Sequence, residues 1–393
     1  MDPVESAGDE SLALSYRTLD VRFTGSGAEY FRIWIVNLLL LIVTLGFYWP
    51  WAKVRRLRYF MQNTLVGGDP LDFLGDPKQM FKGWALVFVL YAMYNVASKS
   101  SSLASLVALI ALGSLWPALW RSSMRFRMGN TSWRGLRLKF TGSTADAYRA
   151  LWPVALAVLP VLVVGSLMPD EPDTEPSVRV LTSLGASVFF GLALLPWLFW
   201  RMKAYQHRHY ALAHLQTDFR ATVRSFYGMA IKQLGLMLLL VLVVVALIWA
   251  VFALANKPQA ASEIAASATL LWILPLLLVG LVIGSFFIGM GPWWDTRLQN
   301  LVWTKTGNAQ LRFISRLRFR DMLWLTVKNG VLMVLTLGFY WPFAKVAMAR
   351  LRLEAVSIRT VIDLEELVEA ELDKPQEAAG DAAGDFFGMD VGL

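Results

Sequence analysis

Two stretches of this 393-residue chain, NLLLLIVTLGFYWPWAKV (residues 37–54) and NGVLMVLTLGFYWPFAKV (residues 329–346), decide how the rest is read. The block TLGFYWP is identical in both, and Ala-Lys-Val follows at the same spacing. Asn37 matches Asn329, Thr44 matches Thr336, Gly46 matches Gly338, Pro50 matches Pro342 and Lys53 matches Lys345. The constant offset of 292 residues makes an internal duplication the natural reading.

Weaker copies lie between these two. Pro117 and Pro196, like Pro50, end an apolar run and open a basic one. Thirteen residues after these prolines come Asn63, Asn130 and His209, and twenty-three after them come Phe73, Phe140 and Phe219. Pro292 opens a fourth copy whose next Phe, Phe313, is only twenty-one residues on, which reads as a small deletion. One unit is therefore a Phe opener, a hydrophobic hairpin, a Pro and a basic segment, and the chain holds about five.

The hydrophobic content is 56% and the mean hydropathy +0.49. The apolar residues gather in eight runs, roughly 32–51, 81–98, 103–120, 147–168, 181–200, 229–255, 267–290 and 324–343. Runs near 20 residues are what a helix needs to cross about 30 Å of hydrocarbon. Many of the 17 Trp sit at run ends, as an interfacial belt requires. Cysteine is absent, so disulfides and thiol catalysis are excluded. The acidic start MDPVESAGDE lacks the basic n-region of a cleaved signal peptide. Residues 1–20 read as a disordered tail, 21–360 as one repeat-built membrane domain, and 361–393, with ten carboxylates against Lys374, as an acidic and largely disordered tail.

Charge sets the orientation. The basic segments hold 29 of the 37 Lys and Arg, whereas the turns between paired helices hold about one each: Lys99, Arg179, Lys257. The positive-inside rule puts the basic segments on the cytoplasmic side. Runs two to seven then pair into three hairpins, but runs one and eight have no partner. Phe73 to Pro117 spans 44 residues, while Phe23 to Pro50 spans 27 and Phe313 to Pro342 spans 29. The expectation is an all-α polytopic membrane protein with six full spans. Two terminal runs either re-enter on the cytoplasmic face or span, and short cytoplasmic amphipathic or strand segments join the hairpins. The alternations Leu136, Leu138, Phe140 and Arg316, Arg318, Arg320 suggest such strands.

TLGFYWPWAKVRRLRYFMQNT (residues 44–64), the preceding FTGSGAEYFRIWIVNLL and the second TLGFYWPFAKV resemble the DUF898, or YjgN-like, family of bacterial inner-membrane proteins. The resemblance covers most of residues 20–360 and implies a multipass location in the bacterial inner membrane. It brings no activity, substrate or catalytic residue. The second copy departs from the first, with Ala347, Met348 and Arg350 near the positions of Arg55, Arg56 and Arg58.

Chemistry-bearing patterns are few. His207, His209 and His214 share one basic segment, but seven-residue spacing brings only the first and last to one helical face. The bland reading, replacement of Arg and Asn at an interface, is preferred to a metal. No phosphate loop, HExxH or GxSxG motif occurs, so neither enzyme nor cofactor is expected. Asn37, Thr44, Asn329 and Thr336 are polar positions inside apolar runs; they either line a pathway or close helix–helix contacts and turns. Arg55, Arg56, Arg58, Arg121, Arg125, Arg127, Arg316, Arg318 and Arg320 interleave with aromatics. The lipid bilayer and its anionic phospholipid headgroups are the expected partners, not nucleic acid. The repeat architecture favours a channel or transporter for an unknown substrate. The alternatives are a membrane-organising or anionic-lipid-interacting protein, and a membrane anchor for a cytoplasmic partner.

Overall fold

The computed structural model of the chain describes residues 17–168, 175–255 and 268–372. Five βααβ units follow one another. The first is β1 (Arg17–Phe23), α1 (Gly27–Val43), α2 (Trp49–Gln62) and β2 (Thr64–Val66). The second is β3 (Asp69–Phe73), α3 (Pro77–Ser100), α4 (Ser102–Gly129) and β4 (Thr131–Trp133). The third is β5 (Leu136–Phe140), α5 (Thr144–Leu151), α6 (Pro153–Gly165), α7 (Val178–Arg208) and β6 (Tyr210–Leu212). The fourth opens on one strand interrupted at Thr217, β7 (Leu215–Gln216) and β8 (Asp218–Phe219), and continues through α8 (Val223–Ala255), α9 (Ala268–Thr304) and β9 (Thr306–Gly307). The fifth is β10 (Leu311–Ser315), α10 (Phe319–Leu335), α11 (Trp341–Glu354) and β11 (Val356–Thr360), after which comes α12 (Leu364–Leu372).

Within each unit the two strands pair antiparallel beneath their helices, and tight turns pair the last strand of one unit with the first of the next. Strand β1 also pairs with β11, Asp20 standing opposite Ser357. The sheet order is β7-β6-β5-β4-β3-β2-β1-β11-β10-β9-β8. Because Thr217 alone separates β7 from β8, the eleven strands close into a ring. Closure leaves no long unpaired edge.

The repeat markers explain this geometry. Each second helix stops at the thirteenth residue after its Pro. There the side chains of Asn63 and Asn130 donate to the carbonyls of Tyr59 and Phe126, each at 2.8 Å, and His209 Nδ1 does the same to Tyr205 at 2.7 Å. The histidine therefore stands in for the asparagine. One residue on, the hydroxyls of Thr64, Thr131 and Thr306 return to the carbonyls of Phe60, Arg127 and Val302 and open the strand. Phe23, Phe73, Phe140 and Phe219 face these strand openers across the pair and are buried. Three residues after the first three of them, Ser26, Asp76 and Ser143 cap the next helix.

Three expectations are corrected. The fold is not all-α, since the ring of strands underlies every helical hairpin; the alternation at Leu136, Leu138 and Phe140 does mark β5, but strands of two or three residues are too short for a period to announce. The alternation at Arg316, Arg318 and Arg320 is not a strand, because β10 ends at Ser315 and α10 begins at Phe319. The fourth copy has no deletion. Ser315, not Phe313, lies twenty-three residues after Pro292, pairs with Val356 as the Phe markers do with their partners, and is buried.

Side chains from three sides of the ring meet inside it. Leu19 of β1, Trp133 of β4 and Leu215 of β7 form one cluster with Val66, Leu71, Leu212, Leu311 and Ile358. Leu367 and Val368 of α12 join the same cluster. Helix α12 thus covers one mouth of the ring, within a segment read from sequence as tail. Glu365 fixes it, pairing with Arg17 at 2.8 Å and Arg134 at 3.1 Å, while Arg134 also reaches Asp69 at 2.5 Å. Hydrogen bonding at Asp363 and to Arg134 holds the Glu365 carboxyl down at about 2. Residues 1–16 and 373–393, and with them most of the expected tails, lie outside the described residues.

Antiparallel pairing puts the five passages into the helical hairpins and the five returns from them on the same rim of the ring, so the hairpins stand together on one side. Among the described residues α3, α4, α7 and α8 contain segments long and apolar enough to cross a membrane, and the pair α5 and α6, bent by 48°, is a fifth candidate. By length and composition the described residues thus hold four to five candidate spans, against the six expected. Pro153 opens α6 at the bend.

Candidate functional site

The first and last units differ from the middle three in depth. Helices α4, α7 and α9 begin 15, 18 and 24 residues before Pro117, Pro196 and Pro292, whereas α2 and α11 begin one residue before Pro50 and Pro342. At a rise of about 1.5 Å per residue, the shortest difference is already roughly 20 Å of helix. Pro50 and Pro342 sit in the first helical turn, where a missing N–H costs nothing, and both are fully buried.

Runs 32–51 and 324–343 are each broken by the same turn. Thr44 Oγ1 donates to the Leu40 carbonyl at 2.6 Å and accepts the Tyr48 N–H at 3.0 Å. Thr336 repeats this with Leu332 and Tyr340 at 2.7 and 3.0 Å. Gly46 and Gly338 both have φ +91°, and their N–H groups reach back to Leu41 and Met333. Leu45 and Leu337 precede them at φ 49° and 50°, and are 89% and 90% exposed at the tips. The threonines close the two turns.

The ring places these two hairpins side by side. Helix α1 packs on α11, with Trp34 against Phe339 and Trp341. A cavity of about 140 Å³ opens at this seam, lined by Tyr30, Trp34, Asn37, Trp49, Lys53 and Trp341, with Arg56 at its edge. Lys53 Nζ lies 4.9 Å from the Trp49 ring centre, and Lys345 Nζ 5.4 Å from that of Trp341. Asn37 is 6% exposed and Asn329 5%, and neither Oδ1 has a hydrogen-bond partner among the described residues. The duplicated asparagines are not brought together: Asn37 lies at the α1–α11 seam, while Asn329 is on α10, which packs on α9 and α11.

The basic residues divide in two. Arg55, Arg56, Arg58, Arg316, Arg318 and Arg320 are exposed, with Arg56 bordering the seam cavity and Arg58 donating to the Phe73 carbonyl at 3.4 Å. Arg121, Arg125 and Arg127 are half-buried and engaged, Arg121 with the Gly142 carbonyl at 2.8 Å and Arg127 with Ser123 at 3.0 Å. The Arg121 bond ties the second and third units together at the feet of their helices. His207 is buried against Thr306 at 3.0 Å, and among the described residues no three His, Asp or Glu gather as a metal set.

Apolar helices long enough to span, standing on one rim of a closed sheet, define a repeat-built multipass membrane protein. The chain belongs to the family described as bacterial protein of unknown function (DUF898), whose profile matches residues 18–386. It is similar to the inner membrane protein YjgN of Salmonella typhimurium, 41% identical over 69 residues that make up 18% of each chain. It is also similar to the YjgN of Escherichia coli O157:H7, 31% identical over 142 residues, 36% of this chain and 34% of that one. The matched stretches cover about a third or less of these curated relatives. No solved structure matches.

Proposed function

We propose that this protein organises lipid in the bacterial inner membrane, without enzymatic activity, its strand ring facing the cytoplasm and binding anionic headgroups. The observation that carries this reading is the seam, where two short hairpins end in apolar tips beside much longer ones. Helix α1 has 17 residues and α2 has 14, against 24 and 28 in the next unit. Hairpins of this length enter one leaflet and return, and lipid beside them must thin or tilt to cover the mismatch. The concentration of Lys and Arg at the strand ring supports the orientation. The apolar cluster on the ring axis, closed by α12, speaks for a structural core there rather than an aqueous path.

The test is reconstitution of the full chain into vesicles of phosphatidylethanolamine and phosphatidylglycerol. The expected result is ion and small-solute permeability equal to that of protein-free vesicles, with lipid order altered in proportion to protein. A selective flux abolished by Asn37→Leu would overturn the reading in favour of a channel or transporter. That second reading rests on the buried, unpartnered Asn37 Oδ1 in the seam cavity.

A further inference from the structure

Outside the seam, one surface of the strand ring has a charge pattern that folding does not explain. Arg312 of β10 and Arg359 of β11 stand directly opposite each other in an antiparallel pair. Opposed side chains lie on one face of a sheet with Cβ atoms about 5 Å apart, and like charges there destabilise the pair. Both are exposed on the outer face, since their neighbours Leu311 and Ile358 fill the ring. The next position in that row is Gly307, opposite Arg312, which contributes no side chain. A groove of about 440 Å³ results, lined by Arg220, Thr304, Lys305, Arg312, Phe313 and Arg359 among others.

Four cations line this groove and no carboxylate does. None of the four side chains makes a hydrogen bond or ion pair among the described residues. The one carboxylate in the row, Asp218 opposite Gly307, pairs with Arg208 at 3.6 Å. Carboxylates return in the adjoining groove, which Arg359 also borders and where Asp20 and Glu354 accompany Arg22 and Arg316; neither carboxylate pairs with Arg359 among the described residues. The position in the fold narrows the ligand. Arg220 precedes α8 by three residues and Lys305 directly follows α9, so the groove opens where two long apolar helices leave the sheet. In a membrane-inserted chain that lip faces the lipid phosphates, and Arg312 and Arg359 lie about 10 Å below it, three residues along their strands from the helix-side rim.

We propose that this groove is a binding site for the headgroup of a phospholipid carrying a terminal phosphomonoester, with Arg312 and Arg359 as a two-pronged clamp and Lys305 and Arg220 at the membrane-side lip. Paired guanidinium groups suit a doubly charged phosphate better than a singly charged diester. The site deepens the lipid-binding reading above and rests on it, but it fails or stands by binding rather than by flux or lipid order.

The experiment titrates detergent-purified full-length protein with dioctanoyl phosphatidic acid, dioctanoyl phosphatidylglycerol and inorganic phosphate, reading heat of binding and the rise in Tm. Phosphatidic acid is expected to bind at one site at least tenfold more tightly than the diester lipid or free phosphate. R312Q and R359Q should each abolish that preference while raising Tm in the absence of lipid, because each relieves the opposed charges. Paired substitution of Arg55 and Arg58 should change binding less than twofold. Equal binding by R312Q/R359Q and the unmodified chain would overturn the site. Equal affinity for inorganic phosphate would overturn the headgroup assignment, leaving a free-anion site. Binding that emerges only after residues 373–393 are removed would show the acidic tail to be the occupant, and would overturn it too.

Discussion

Trp34 of the first unit lies with its ring centre 6.1 Å from that of Trp341 in the last. The contact joins residues more than 300 positions apart, and it exists because β1 and β11 close the strand ring. Through it the two copies of TLGFYWP become neighbours in one surface.

Ring closure is directly testable, since the chain has no cysteine of its own. Asp20→Cys with Ser357→Cys places two thiols at directly opposed strand positions. Opposed Cα atoms lie about 4.5–5.5 Å apart, within disulfide reach. Oxidation should give an intramolecular crosslink, seen as two fragments held together after a single proteolytic cut in the middle of the chain. Fragments that separate without reductant would contradict the closed ring.

The turns at the tips should be sensitive to backbone rather than to bulk. Gly46 and Gly338 sit at φ +91° with nothing within 4 Å of an added Cβ. Gly46→Ala and Gly338→Ala should each lower stability by about 1–2 kcal/mol, the cost of a left-handed conformation for an L residue. Thermal unfolding in detergent would check this, with a neutral result arguing that the turn rearranges.

Removal of a buried aromatic beneath the helices should be far more costly. Phe73 is 1% exposed and packs with Val54, Met80 and Phe126. Phe73→Ala should destabilise by about 3–5 kcal/mol. His209→Asn should restore the cap seen in the first two units at little cost, whereas His209→Ala should lose about 1 kcal/mol. Comparing the three Tm values separates core packing from capping.

Acid should release α12 late. The Glu365 carboxyl is depressed in the folded chain from 4.5 to about 2. A depressed carboxyl stabilises the docked helix above its unfolded value and loses that contribution as pH falls through the folded one. Docking should therefore persist from pH 7 to about 4.5 and weaken between about 4.5 and 2. Glu365→Gln should remove the dependence. Protease accessibility of the 361–372 segment, measured against pH, reads this; release near pH 6 would show that another group holds the helix.

Much of the local structure was written in the sequence. The Pro-to-Asn-to-Phe spacing, legible in the sequence as a repeat, coincides in the structure with the end of a second helix, the opening of a strand and the start of the next helix, because capping and strand entry depend on residues within one or two turns. Asn63, Thr64 and Ser26 act through contacts to nearby backbone, so their roles survive in one dimension. The break at Thr44 and Thr336 was legible for the same reason: a short unit has no residues for a full hairpin. The degenerate markers misled. Ser315 stands where the Phe marker is expected, and the nearby Phe313 pairs with Ile358 and packs on Trp303 instead.

What only the tertiary structure decided is how the units meet. Alternation is legible at β5, but strands of two or three residues show no period, so the sheet as a whole is defined by its hydrogen bonds and not by its pattern. The pairing of β1 with β11, the filling of the ring by Leu19, Trp133 and Leu215, and the opposition of Arg312 to Arg359 all join residues far apart in the chain. The sequence by itself determined a repeated membrane hairpin with a basic foot and two shortened ends. Closure of the ring, which follows from antiparallel pairing between the first strand and the last, decided that the shortened ends stand together and that a clamp of like charges faces outward beneath the membrane helices.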